Sequence, residues 1–359
     1  MRILLIRLRE IGDVVFTTPA VHALHSRFPD AHLTYIVEPH AAPLVAANPH
    51  LDEVIVAPRN GVIADLRLAR RLRASRFDLA IDFHGGPRAS LLTWLSGAPV
   101  RLGYDIAWRS WMYTRRVARP RALRPRHSVE NQWDLLAGLE MPAPDRSTFP
   151  VEMHVDADAA HRVEVRLREA GVEAGDRLVV IHVSAGNPFR RWPIDSFAAL
   201  SAALVARDSR RRVIVTSGPS ERDAAARVID RARARLSSGD GVRVVACGDF
   251  SLTELRALVD RAALFIGGDS GPLHVAATSA VPIVALYGPT LPARSAPWRE
   301  PRFIAEAVEI RDLPCRPCDQ RVCAPGDFRC LTSLEPERVI DAAERALARA
   351  AADKMSTHA

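Results

Sequence analysis

"FIGGDSGPLHVAATSAVPIVALYGPT", residues 265–290, sets an acidic residue inside a glycine-rich turn. The apolar run 262–266 has strand length. The residues after Pro272 (Leu273, Val275, Ala276, Ala277) have helical spacing, and 282–287 reads as a second buried strand. The segment is therefore a strand–turn–helix–strand unit whose special residues gather at the turn. A helix start there presents unpaired N–H groups and a positive dipole end, a setting that suits phosphate. On this reading Ser270 and Gly271 place backbone N–H groups on a phosphate and Asp269 accepts bonds from sugar hydroxyls. His274, one turn into the helix, points at the same spot.

Outward from this unit the chain alternates strands and helices twice over. Strands are expected at 2–8, 32–37, 53–57, 78–83 and 100–103, and again at 178–183, 213–216, 242–246, 264–266 and 283–287. Helical stretches such as 19–27 and 63–75 lie between them. Such alternation implies parallel sheets covered on both faces, an α/β class. The Pro- and Asp-rich stretch 141–158 reads as a linker. A chain of 359 residues then divides into domains at 1–150 and 151–340, with a C-terminal helix and tail at 341–359. The final helix, 335–351, is expected to pack back across both domains. Two such domains facing one another create a cleft at the carboxyl ends of their strands, where open α/β sheets bind ligands.

Composition sets the class. With 48% hydrophobic and 25% charged residues the chain is an ordinary globular protein, and no apolar run is long enough to span a bilayer. The opening "MRILLIRLRE" reads as a buried strand rather than a secretory signal, which leads to an expected cytosolic location. A net charge of +7 and a pI near 9.7 favour acidic partners: nucleic acid, phosphorylated substrates or anionic lipid. Four of five cysteines fall in "CRPCDQRVCAPGDFRC" (Cys315, Cys318, Cys323, Cys330). That spacing fits either a metal site or a tight sulfur-rich loop, and its second pair is unlike common zinc modules. Cys247 stands alone at a strand end and reads as core.

Four further constellations carry chemistry. In "RLREIGDVVFTTPA" a buried strand ends at Leu8 and Asp13 precedes an amphipathic helix. Asp13 is there either a helix N-cap or a general base facing the ligand cleft. In "VVIHVSAGNPFRRWP" a strand delivers Ser184 to a loop, and Arg190 and Arg191 precede a helix. Paired arginines there suit a diphosphate, or are solvated charges. Glu221 follows a strand in "TSGPSERDAAA". It grips a ribose diol or simply favours the helix dipole. Finally, Arg109, Arg115, Arg116, Arg119, Arg121, Arg124 and Arg126 interleave with Trp108, Trp111 and Tyr113, against Asp105 alone. That segment is a surface for a phosphorylated glycolipid or a solvated loop.

Several motifs are missing. There is no G-x-G-x-x-G after a strand, no Walker loop and no H-E-x-x-H. "GDSGP" matches a serine-protease turn in letters only, because an α/β chain surrounds it and G-x-S-x-G does not fit around Ser270.

Together, "IGDVVFTTPA", "RRWP" and "GGDSGPLHVAATSAVPIVALYGPT" resemble glycosyltransferase family 9, the ADP-heptose:lipopolysaccharide heptosyltransferases, over essentially the whole chain. The resemblance implies a GT-B fold of two Rossmann-like domains, the first binding acceptor and the second binding nucleotide sugar. It implies inverting transfer of heptose from ADP-heptose to the lipopolysaccharide inner core (Kdo or heptose), with no cofactor or metal. It also implies a cytoplasmic protein peripheral to the inner face of the inner membrane. By the same resemblance Asp13 is the base. Ser184, Arg190, Glu221, Asp269, Ser270, Gly271 and His274 are expected to hold the donor; Arg115, Arg116, Arg119 and Arg121, read from the charge of the basic segment, are expected to face the lipid A–core acceptor and an anionic membrane surface. Two departures stand out: the family's lysine before W-P is Arg190, and its hydroxyl pair is reduced to Ser184-Ala185.

Other readings remain at this point. A GT-B sugar-nucleotide epimerase, or a transferase with another nucleotide-sugar donor, shares the architecture. A nucleic-acid binder fits the charge but has no recognised module, so no nucleic-acid partner is expected. A non-catalytic sugar-nucleotide binder would not need Asp13 beside a complete donor block.

Overall fold

The computed structural model describes residues 1–58, 61–119, 126–183 and 186–356. They form two compact units, Met1–His154 and Val155–Ala359.

The first unit is built on β1 (Arg2–Ile6), β2 (His32–Val37), β3 (Glu53–Val56), β4 (Leu79–Asp82), β5 (Val100–Asp105) and β6 (Arg115–Ala118). All pairings are parallel and the order is β3-β2-β1-β4-β5-β6. The second unit repeats this with β7 (Arg177–His182), β8 (Arg211–Thr216), β9 (Val244–Val245), β10 (Leu264–Gly268), β11 (Ile283–Tyr287) and β12 (Ala305–Glu309). Its order, β12-β11-β10-β7-β8-β9, is the same Rossmann-like arrangement, again with parallel neighbours. The central strands are continuous apolar runs because a parallel sheet is buried on both faces. Ile3 to Ile6 of β1 and Leu264 to Ile266 of β10 are fully buried.

Each sheet has one topological switch point, where adjacent strands lead the chain off in opposite directions: β1 beside β4, and β7 beside β10. Ligands of open α/β sheets bind beyond the carboxyl ends of those strands.

All the expected strands form. The two strands absent from the sequence reading, β6 and β12, are edge strands, with mostly exposed, polar faces. The expected linker is half structure. Phe149, Val151 and Met153 alternate into the first unit's core, and Trp133 Nε1 donates to the Pro142 carbonyl at 2.8 Å. The unit boundary accordingly falls after His154. The last helix, Pro336–Ser356, buries Val339, Ile340, Ala342, Ala343 and Ala346 in the second unit's core rather than forming a separate tail from residue 341.

Candidate active site

The turn after β10 answers the question its sequence raises. Asp269 is buried, and its backbone N–H donates to the Leu286 carbonyl at 3.1 Å. Its carboxylate accepts from Thr290 Oγ1 at 2.6 Å, lies 3.5 Å from His274 Nε2 and 3.4 Å from an Arg190 guanidinium nitrogen. Burial alone would raise its pKa. His274, the Arg190 charge and the Thr290 hydroxyl outweigh burial and hold it at about 2. The glycines permit this closeness: a Cβ on Gly268 would stand 3.2 Å from the Arg190 carbonyl oxygen, and one on Gly288 would meet Leu331 at 2.6 Å. The quoted stretch thus closes on itself, with Thr290 beyond β11 holding Asp269 beyond β10.

Asp269 and His274 are turned toward each other and are 4% and 5% exposed. The group they position is Arg190. Its Nε donates to Gln320 Oε1 at 2.7 Å and one terminal nitrogen to the Asp269 carbonyl at 3.0 Å, and the side chain remains 30% exposed. Arg191 is not simply solvated, for it donates to Glu221 Oε1 at 2.9 Å. The arginine pair therefore divides its work between the two acids. Ser270 caps the six-residue helix Gly271–Ala276 by backbone position without a side-chain bond, and its buried Oγ has no hydrogen-bond partner among the described residues. Ser184 lies outside the described residues. His182, the last residue of β7, is buried with its Nδ1 3.0 Å from Thr216 Oγ1. Burial lowers its pKa to about 4, so the ring is neutral at pH 7.

The first unit places a second polar cluster at its own switch point. The helix α1 (Ile11–Val15) begins from Glu10, which has φ 64°, and Asp13 lies inside its first turn. Asp13 is therefore not the N-cap. Its carboxylate pairs with Arg7 just beyond β1, and Arg7 also donates to the Phe83 carbonyl beyond β4 at 2.6 Å. One guanidinium thus ties the acid to both switch-point strands. Thr17 Oγ1 lies 2.8 Å from the Asp13 carbonyl and 2.7 Å from Gln132 Oε1, so its single proton bonds one or the other and ties the backbone behind Asp13 to Gln132. On β4, Asp82 accepts from the His84 and Gly85 N–H groups and from Tyr113 Oη at 2.6 Å. His84 follows, its pKa lowered to about 4 by burial and by the charges of Arg7 and Arg9.

Sequence reasoning passed over Arg7, His84, Gln320 and Thr290. Arg7 and Thr290 carried a usable signal, a polar residue just past a buried strand and close to the proposed acid. Gln320 carried none, because only the fold brings it to Arg190.

The basic segment is partly redrawn. Tyr113 is buried on Asp82 and does not join the surface rings. Arg126 makes a double hydrogen bond to Asp134, with Glu130 beside it, so Asp105 is not the only nearby acid. Arg115, Arg116 and Arg119 are exposed on and just past the edge strand β6, while Arg121 lies outside the described residues. Trp108 is 93% exposed, and Trp111 meets a third partly exposed indole, Trp94, edge to face at 5.4 Å. The cysteines are all free, and no three of them bring their sulfurs within 4.8 Å of one another.

A family described as "Glycosyltransferase family 9 (heptosyltransferase)" matches residues 65–327. Lipopolysaccharide heptosyltransferase 3 of Escherichia coli is 29% identical over 317 residues, 86% of this chain and 89% of that protein. The family 9 glycosyltransferase of Veillonella parvula superposes with a TM-score of 0.81 at 24% identity, covering 97% of each chain. The E. coli ADP-heptose lipopolysaccharide heptosyltransferase II does so with a TM-score of 0.74 at 20% identity, covering 97% of this chain and 99% of that one. The doubled Rossmann-like architecture is that of these GT-B enzymes, and the chain belongs to glycosyltransferase family 9.

Proposed function

We propose that the protein transfers a heptose from ADP-heptose to the lipopolysaccharide inner core, inverting the anomeric centre and using no metal ion. The observation that carries this reading is the setting of Arg190. A cation held by Asp269 and Gln320, at the switch point of the second sheet, is a ready site for a leaving diphosphate. The names of the similar proteins supply the donor and acceptor class.

In this mechanism the Asp13 carboxylate, steadied by Arg7, takes the proton of an acceptor sugar hydroxyl. The freed oxygen attacks the anomeric carbon from the face opposite ADP, and the bond to the diphosphate oxygen breaks with its electron pair leaving on ADP. Arg190 and the Ser270 and Gly271 N–H groups meet that growing charge, and each such preorganised donor contributes on the order of 10²–10³ in rate. Glu221, with Oε1 on Arg191, contacts the ribose. Asp269 and His274 act through the loop they hold. The exposed arginines on and past β6, with Trp94, Trp108 and Trp111, hold the enzyme to the anionic inner face of the inner membrane beside its acceptor. No helix among the described residues is long and apolar enough to cross a bilayer.

The test is to incubate the purified full chain with ADP-heptose and a panel of truncated lipopolysaccharides. The expected product is acceptor heavier by one heptose, with stoichiometric ADP. Release of free heptose without an acceptor would instead identify an epimerase-like or hydrolytic activity. Turnover only with another nucleotide sugar would replace the donor.

A further inference from the structure

Away from both switch points, three side chains of the first unit bring potential metal-ligand atoms together. His22 lies on α2 (Thr18–Arg27), His50 follows the turn Ala42–Leu44, and Glu152 lies in the segment that ends the unit. His22 Nδ1 is 2.9 Å from Glu152 Oε1, and His50 Nε2 is 3.4 Å from Glu152 Oε2. One atom from each residue lies within 4.8 Å of the other two. Yet His22 Nδ1 and Glu152 Oε2 are buried atoms that make no hydrogen bond among the described residues. Buried polar atoms that make no hydrogen bond are uncommon, and these two lie beside each other's side chains and His50.

We propose that His22, His50 and Glu152 bind a divalent transition metal ion, zinc in the first instance. Zinc takes imidazole and carboxylate at about 2.0–2.2 Å in a tetrahedron, which sets ligand atoms roughly 3.4 Å apart. The two measured separations, 2.9 and 3.4 Å, lie just below and at that edge, so small side-chain rotations complete the set, with water in the fourth position. The imidazole rings stack 4.1 Å apart at 13°, with Phe149 edge-on to His22. The pair is thereby held in place before metal arrives. The three side chains keep between 19% and 26% exposure, enough for an ion to enter.

The ion's role is to clip, not to catalyse. The Glu152 N–H already donates to Thr18 Oγ1 at 2.9 Å, which lays the unit's last segment on α2. A metal would join that segment, α2 and the His50 turn at one point. This inference is independent of the transferase reading.

The experiment strips the full-length enzyme with chelator and titrates it with Co²⁺ and Zn²⁺, reading the Co²⁺ spectrum, stoichiometry and thermal midpoint. One ion per chain is expected, with the weak visible bands of nitrogen and oxygen ligands and a raised midpoint. His22→Gln, His50→Gln and Glu152→Gln should each weaken binding at least ~10-fold, the low end of what even outer-shell changes do. Heptose transfer at room temperature should be unchanged by stripping. No binding, or binding that all three variants retain, overturns the proposal. So does an intense near-ultraviolet thiolate band alone, which would place the ion on the cysteines. If one variant fails to fold by circular dichroism, the other two decide the question.

Discussion

Replacing His182 by Gln tests whether the strand that leads to the Arg190 loop is held by a ring that must stay neutral. The residue is 3% exposed and its only shift is due to burial, from 6.5 to about 4. The folded pKa therefore lies below the unfolded one. The folded state then holds fewer protons, so the contribution is complete above about pH 6.5 and is lost as pH falls toward about 4. One unit is worth about 1.4 kcal/mol, so between about pH 7.5 and about pH 5 the wild type should lose about 2 kcal/mol through this ring alone. The Gln variant has no proton to gain and retains an amide for Thr216 Oγ1, so it should lack that part of the decline. His84 and His50 also titrate low, but they are present in both proteins and cancel in the difference. Urea unfolding read peptide by peptide through hydrogen–deuterium exchange scores the second unit by itself. A variant whose pH dependence matches wild type within about 0.5 kcal/mol would show that burial does not keep His182 neutral.

Asp13→Asn should lower kcat at least ~10²-fold while ADP binding stays within a few-fold, and retention of more than about a tenth of the rate would reduce Asp13 to a structural residue. Arg190→Ala should weaken ADP binding and slow transfer together, whereas Arg191→Ala should act mainly by releasing Glu221. Isothermal titration with ADP separates the two, and equal small effects would deny Arg190 its place on the diphosphate. EDTA should leave the initial rate of transfer unchanged, and a loss restored by Mg²⁺ would contradict charge stabilisation by arginine and backbone. Finally, the protein should co-sediment with anionic but not zwitterionic vesicles at low salt. Neutralising Arg115, Arg116, Arg119 and Arg121 should weaken this and raise the KM for acceptor alone, since each basic residue near the surface contributes about 1 kcal/mol. Wild-type behaviour of that variant would make the segment a solvated edge.

The amino-acid sequence alone determined the architecture, because buried parallel strands must be apolar runs and the turns between them need glycine and acid. β2 and β11 appear with the expected ends, and Asp13, Arg190, Glu221 and Asp269 all lie in the turns or short helices that follow a strand. Where one face of a strand meets solvent that signal fades. β6, with its arginines, therefore looked like a loop, and β12, with alternating Ala and Glu, went unseen. The docking of 149–153 was equally hidden, since three alternating apolar residues among prolines and acids resemble a linker until a core receives them. Only tertiary structure decided what each polar side chain faces. Asp269 was legible as an acid in a turn. That it turns inward to Thr290, His274 and Arg190 depends on strands distant in sequence lying side by side. The same holds for His22, His50 and Glu152, which share no motif and meet because α2, a turn and the end of the first unit pack together. Local spacing encodes which element a residue belongs to, whereas its partner depends on contacts between residues that sequence order keeps apart.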